Sequence, residues 1–302
     1  MSAVIDRPKN RFIDPKVLIR IQNLELVART VVEGFVQGLH RSPYLGFSVD
    51  FAEYRQYMPG DDIRRIDWNV YGRNDRLFIK LYEGETNTRV LTLLDMSGSM
   101  NYGSGEVKKI DYARMLAACL SFFAYQQRDG VGLLTFDTDV RTHIPASRRS
   151  GQLHSILHEI DRVTPSKETE FRKPLRFLAE ILNRRSVIIV ISDFYDEPAN
   201  IAAGLKALKA KGNDILVFHL LDEFELTFPY EEMAQFEDME TRKKLHVIPE
   251  YLRTQYLSIL RSHIEQLRKE LSSVQIDYSV MNTSKPLDEA LFRYLAARAN
   301  SQ

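Results

Sequence analysis

Val90-Leu-Thr-Leu-Leu-Asp-Met-Ser-Gly-Ser-Met100 is the stretch that decides the fold. Its first five residues are short, almost wholly apolar and without polar alternation, and they run straight into a polar loop. An unalternating apolar run of this length reads as a strand buried on both faces, which belongs to a mostly parallel sheet covered by helices. The loop Asp95-Met96-Ser97-Gly98-Ser99 then lies at the C-terminal end of that strand, where open α/β sheets place their ligands. A carboxylate and two hydroxyls at alternate positions can converge on one centre, and Gly98 lets the backbone turn closely around it. These are hard oxygen donors of the kind Mg²⁺ takes, and their low charge leaves a bound cation positive with open positions. Such a site suits the capture of an external carboxylate better than hydrolysis.

Outward from this loop the chain alternates between elements. Ile110–Gln127 is expected to be helical, Val131–Phe136 and Val140–Ile144 to be strands joined by a hairpin turn at 137–139, and Leu153–Val163 and Pro174–Asn183 to be helices. A fully apolar strand at Val187–Ile191, a helix at Ala199–Ala210 and a strand at Ile215–Leu221 follow. Residues 229–249 read as an insertion with hairpin arms near Met233–Phe236 and Leu245–Ile248, and the chain closes with helix Tyr251–Leu271, strand Gln275–Met281 and helix Leu287–Arg298. Before Thr88 the pattern is different. Val17, Ile21, Leu24, Ala28, Val31, Phe35 and Leu39 recur at steps of three and four, one face of an amphipathic helix over Pro15–Leu39. Gly46–Tyr54 and Arg76–Tyr82 read as extended, with a turn at Pro59-Gly60-Asp61-Asp62 between them. The expected fold is therefore a Rossmann-like, mostly parallel, doubly wound α/β domain over 87–302 with an insertion at about 222–250, behind an N-terminal helix and small β appendage over 1–86.

Composition narrows the function classes. With 302 residues, 44% apolar and 27% charged, the chain has the balance of an ordinary globular protein. Forty-one basic residues offset forty-one acidic ones, so bulk charge gives no attraction to nucleic acid or an anionic membrane. The single cysteine, Cys119, excludes an internal disulfide and reads as a buried thiol. The N-terminal segment lacks the apolar core of a signal peptide, and the apolar runs are too short to span a bilayer. A cytoplasmic location is the expectation.

The Asp95-x-Ser97-x-Ser99 loop resembles the metal-ion-dependent adhesion site of von Willebrand factor A domains. That resemblance implies a von Willebrand factor A-like fold and two further ligands from later loops. Thr169, in Lys167-Glu-Thr-Glu170, matches the threonine position, and Asp193, in Ile191-Ser-Asp-Phe194, matches the loop-three aspartate. The full expected metal set is Asp95, Ser97, Ser99, Thr169 and Asp193, holding Mg²⁺, with Mn²⁺ or Ca²⁺ as alternatives. Two departures fall on the same loops: Lys167-Glu168 replaces the usual Gly-Gly, and Phe194 replaces the glycine after the aspartate.

A more extensive likeness covers nearly the whole chain. Ser48-Val-Asp-Phe-Ala-Glu-Tyr-Arg55, Pro59-Gly-Asp-Asp-Ile-Arg64, Ile66-Asp-Trp68, Leu77-Phe-Ile-Lys80, Lys109-Ile-Asp-Tyr-Ala-Arg114 and Pro286-Leu-Asp-Glu-Ala290 resemble the signature of the bacterial domain of unknown function numbered fifty-eight. Members of that family accompany MoxR-type AAA+ ATPases. The resemblance implies a non-enzymatic adaptor or co-chaperone, with the ATPase or its client donating an acidic side chain to the metal.

Other motifs point elsewhere with less force. His154 and His158 have zinc-clamp spacing, but Ser155 stands where a metalloprotease needs glutamate, so exposed or half-buried histidines are expected. A phosphate-cradling P-loop is absent, and no catalytic residue is assigned. A Mg²⁺-dependent phosphohydrolase is the competing class. Haloacid-dehalogenase-type enzymes, which also place an aspartate after the first strand, need a second carboxylate two positions on, and Ser97 occupies that place. The acidic run from Asp222 to Glu240 reads by default as a solvated excursion, and its dense aromatics as cover for a sheet edge or a partner contact.

Overall fold

The apolar strands pair in the way unalternating strands require. In a computed structural model, described here for residues 13–40, 53–56, 78–81, 88–165, 170–230, 234–237, 244–247 and 249–299, strand β3 (Arg89–Asp95) lies near the middle of a six-stranded sheet. It is flanked in parallel by β4 (Gly130–Phe136) and β6 (Val187–Ser192). Beyond β6 run β7 (Asp214–Leu221) and β10 (Asp277–Asn282), both parallel. The other edge is β5 (Val140–Ser147), antiparallel to β4 across the short turn at 137–139. The order β10-β7-β6-β3-β4-β5 reverses direction of travel at β3, so the loop after β3 opens at the topological switch point. This is the expected mostly parallel, doubly wound α/β fold.

Helices cover both faces, which is why β4 and β6 are buried at every position. On one face Leu91, Leu93, Ile188, Val190, Ile215 and Val217 meet α5 (Arg172–Ile181), α6 (Pro198–Ala210) and α8 (Pro249–Ser272), through Phe171, Leu175, Leu178, Ile201, Leu205, Leu267 and Leu271. The opposite face is served by α3 (Lys109–Gln126), α4 (Gln152–Arg162) and α9 (Asp288–Ala299). Cys119 lies in the interior of α3, where burial pushes its thiol pKa far up and leaves it unreactive.

The N-terminal amphipathic pattern forms two helices, α1 (Pro15–Leu18) and α2 (Leu24–His40), where one was expected. The break has a local cause: Asn23 Oδ1 accepts from Leu26 N at 2.9 Å and starts a new helix. Val27, Val31, Val32 and Phe35 are buried, and the Phe35 ring packs edge-on against Phe123 of α3 and Phe292 of α9. The compact units accordingly divide the chain into 1–36 with 88–302 and, separately, 37–87, so the first helices group with the sheet. Within the 37–87 unit, β1 (Glu53–Gln56) and β2 (Phe78–Leu81) pair antiparallel; the turn at Pro59 and Trp68 lie outside the described residues. The insertion begins with a short helix, α7 (Glu223–Thr227), followed by the hairpin β8 (Ala234–Glu237) and β9 (Lys244–Val247). No helix among the described residues is long and apolar enough to cross a membrane.

Candidate functional site

Asp95 ends β3, and the chain then turns through Ser97 into a short 3₁₀ turn at Ser99–Asn101. The loop is held by its own polar groups. Ser97 N donates to Asp95 Oδ1 at 2.8 Å, and the Ser97 and Ser99 hydroxyls are 3.1 Å apart. Asp95 and Ser97 are fully buried. The next strand, β6, brings Ser192 and Asp193 to the same end of the sheet. Ser192 Oγ donates to Asp95 Oδ2 at 2.5 Å and accepts from Phe194 N at 2.9 Å. Four of the five predicted ligands, Asp95, Ser97, Ser99 and Asp193, thus sit on two loops at adjacent strand ends. Thr169 lies outside the described residues; its neighbour Glu170 donates its N–H to Asp137 O at 3.3 Å, beside the C-terminal end of β4.

The electrostatics are those of a site short of positive charge. Burial, then the nearby Asp193 charge, push the Asp95 carboxyl up to about 7, against the pull of the Ser192 and Ser97 hydrogen bonds. Asp193 is 1% exposed and its Oδ1 has no hydrogen-bond partner. Its Oδ2 accepts from Lys109 Nζ at 2.8 Å. Lys109, at the start of α3, is completely buried and also donates to Glu225 Oε1 at 2.8 Å. Burial opposes the ammonium charge, but Asp193 and Glu225 outweigh it and raise the Lys109 pKa. The Tyr195 ring stands 4.8 Å from Nζ and the Tyr102 ring 5.7 Å, both within cation–π range. His219, close behind, is driven by burial to about 3 and adds no positive charge.

The donor set fits a small hard cation. The buried carboxylates of Asp95 and Asp193, the latter with one oxygen on the Lys109 ammonium and one unpartnered, and the adjacent Ser97 and Ser99 hydroxyls form an oxygen-rich cluster. No group of three His, Cys, Asp or Glu side chains able to hold a metal occurs among the described residues, so the hydroxyls are essential to this reading. His154 and His158 are both exposed on α4.

The family model described as "Protein of unknown function DUF58" matches residues 53–266. The chain belongs to the DUF58 family. An uncharacterized protein of Mycobacterium tuberculosis is 28% identical over 220 residues, covering 72% of this chain and 68% of the relative. Among solved structures, the conserved hypothetical protein BatB from Bacteroides thetaiotaomicron aligns with 17% identity and a TM-score of 0.48, over 70% of this chain and 99% of BatB. The SpRpn10 VWA domain aligns with 14% identity and a TM-score of 0.41, over 69% of this chain and 95% of that domain. The fold of this DUF58 protein rests on its own strand order and pairing.

Three features of the DUF58 site were not assigned from sequence. Lys109 stands in the sequence as one residue of a longer motif, yet its spacing to Tyr112, Ala113 and Leu116 puts it on the buried stripe of α3. Asp222 and Glu225 belong, by sequence, to a run expected to be solvated. Both turn inward instead: Asp222 caps α7, accepts from Ser104 N at 3.1 Å, and forms a capping box with Glu225. Nothing local in the sequence distinguishes them from the other acids of that run. Phe194 has a left-handed backbone, φ 52°, the conformation that the replaced glycine would adopt without strain. Its buried ring stacks 5.2 Å from Phe171 and lies 5.5 Å from His219, so core packing holds an unfavourable backbone in the loop next to Asp193.

Proposed function

We propose that this DUF58 protein is a non-enzymatic, divalent-cation-dependent protein-binding module that serves as adaptor or co-chaperone to a MoxR-type AAA+ ATPase. The observation that carries the reading is the buried, unpartnered Asp193 Oδ1 at the same sheet end as the buried Asp95 and the Ser97–Ser99 hydroxyl pair. A buried anionic acceptor left alone is costly, and a cation would relieve it. Asp95, Ser97, Ser99, Asp193 and Thr169 would hold Mg²⁺, which when bound offers an open position to an oxygen of an external carboxylate. The residues of the chain orient that position: Ser192 and the Ser97 amide fix Asp95, and Lys109 fixes one oxygen of Asp193. The partner class follows from the family likeness.

A non-enzymatic role is favoured over phosphoryl chemistry by what surrounds the carboxylates. Ser97 stands where a second catalytic carboxylate would be needed, and Lys109 is committed to two carboxylates and is not free to grip a phosphate. The test is binding of the purified MoxR-type ATPase of the same organism to wild type and to Ser97→Ala/Ser99→Ala, with Mg²⁺ or with EDTA. Binding that needs both Mg²⁺ and the hydroxyls is the expected result. Equal binding in all four conditions would overturn the cation-dependent reading, and turnover of phosphate esters lost in Asp95→Asn would overturn the non-enzymatic one.

A further inference from the structure

Lys109 makes contacts whose consequence reaches the choice of cation. Its ammonium takes Asp193 Oδ2 at 2.8 Å, while Asp193 Oδ1 remains unpartnered and buried. The same nitrogen is held from the other side by Glu225 Oε1 at 2.8 Å, and its position is further framed by the Tyr195 ring. Glu225 is itself fixed, since its Oε2 accepts from Asp222 N at 2.7 Å and its Oε1 from the Tyr195 hydroxyl at 3.0 Å. Lys109 is therefore anchored on three sides and cannot swing away from Asp193 without breaking buried bonds.

The denticity of the site follows. A carboxylate grips a cation through two oxygens only when neither already faces a positive charge, and Asp193 Oδ2 faces the Lys109 ammonium, which leaves Oδ1 alone for a cation. Asp95 accepts from neutral donors only, Oδ1 from Ser97 N and Oδ2 from Ser192 Oγ, so its orientation is fixed while its oxygens keep lone pairs for a cation. Ca²⁺ favours six to eight oxygens and commonly a two-oxygen carboxylate, whereas Mg²⁺ is satisfied by single oxygens and water in an octahedron. We propose that Lys109 is a specificity-determining positioning residue: by occupying Asp193 Oδ2 it confines that aspartate to one oxygen and biases the site against Ca²⁺. This inference rests on the cation-site reading above.

The test uses the full chain and the metals alone, titrating Mg²⁺ and Ca²⁺ calorimetrically into wild type and Lys109→Met. Wild type is expected to bind Mg²⁺ at least as tightly as Ca²⁺. Lys109→Met frees Asp193 Oδ2, and the ratio of Ca²⁺ to Mg²⁺ affinity is expected to rise by about tenfold or more. That single change leaves Glu225 without its cation, so Lys109→Met/Glu225→Gln is measured beside it, with the same expectation and without the orphaned charge. Glu225→Gln alone keeps the Lys109–Asp193 bridge and is expected to leave the ratio within about twofold of wild type. A ratio unchanged in both Lys109 variants, or a shift as large in Glu225→Gln alone, overturns the role of Lys109 while leaving the cation site standing. Failure of wild type to bind either metal overturns the site itself, and this inference with it.

Discussion

Replacing Lys109 with Met in the presence of a chelator isolates the buried charge network from any metal. Lys109 is fully buried, and its partners Asp193 and Glu225 have side chains only 1% and 11% exposed. Methionine matches the length of the aliphatic stem, so the change removes charge and hydrogen bonds with little loss of volume. Two carboxylates are then left inside the protein with no counter-charge. Breaking a buried pair by deleting one partner costs about 3–5 kcal/mol, because the remaining charge is both desolvated and unpaired. For a unit of this size that corresponds to a fall in melting temperature of roughly 6–20 °C. The triple variant Lys109→Met/Asp193→Asn/Glu225→Gln removes all three charges together, and is expected to recover to within about 2 kcal/mol of wild type, since neutral replacement of a whole buried network is often nearly neutral. Urea unfolding followed by circular dichroism in EDTA reads both quantities. A loss below about 1 kcal/mol for the single variant, the size of an ordinary surface change, would refute the argument that Lys109 is a buried counter-ion.

Four further outcomes can be checked by the same unfolding assay. Phe194→Gly relieves a left-handed backbone worth about 1–2 kcal/mol but empties a buried ring site worth about 3–5 kcal/mol, so a net loss is expected, and a stabilised variant would contradict the packing account. Gly132→Ala places a methyl 2.7 Å from both Ile144 O and Ala146 N on the neighbouring strand, where backbone must shift, and a loss of roughly 1–3 kcal/mol is expected. Asn23→Ala removes the cap bond to Leu26 N, with an expected loss of about 1 kcal/mol. Asp288 gives a pH signature: burial raises its carboxyl from 3.8 to about 6. Because the folded value is the higher one, the stability it contributes is complete below pH 3.8 and is lost as pH rises through about 6. Asp288→Asn cannot ionise, so its stability relative to wild type should rise across that window, and a flat difference would argue against a buried carboxyl.

The arrangement around Asp95 also accounts for why this sequence departs from the simpler loop pattern it resembles. Where a glycine would relax the turn after Asp193, the chain has Phe194, whose ring is gripped between Phe171 and His219. The loop bearing Asp193 is thereby tied to the hydrophobic core and to the first turn of α3 through Lys109. A loop held this firmly presents Asp193 in one geometry.

Local sequence was sufficient for the sheet and for half of the site. The apolar run at 187–191 and the almost wholly apolar one at 90–94 show no wet face, so they point to a mostly parallel sheet clothed in helices before any pairing is known. The spacing of Asp95, Ser97 and Ser99 places three oxygens in one turn by geometry internal to five residues. Asp193 came from the resemblance of Ile191-Ser-Asp-Phe194 to an adhesion-site loop, and its place at the end of a buried strand agrees with that, since such strand ends share one side of a parallel sheet. The counter-charge was not legible. Lys109, Asp193 and Glu225 are separated by 84 and 116 positions along the chain, and whether a lysine on a helix or a glutamate in an acidic run faces solvent or interior depends on which strand it lands beside. Amphipathic spacing specifies that α3 has a buried face, but only the order β6-β3-β4, with α7 folded back over the loops, determines that two carboxylates wait at its N-terminus. The break between α1 and α2 was likewise settled by a single side-chain-to-backbone bond at Asn23, too local for periodicity to detect. Sequence period governs which residues are buried; what a buried charge meets is decided by chain crossings that only the tertiary structure contains.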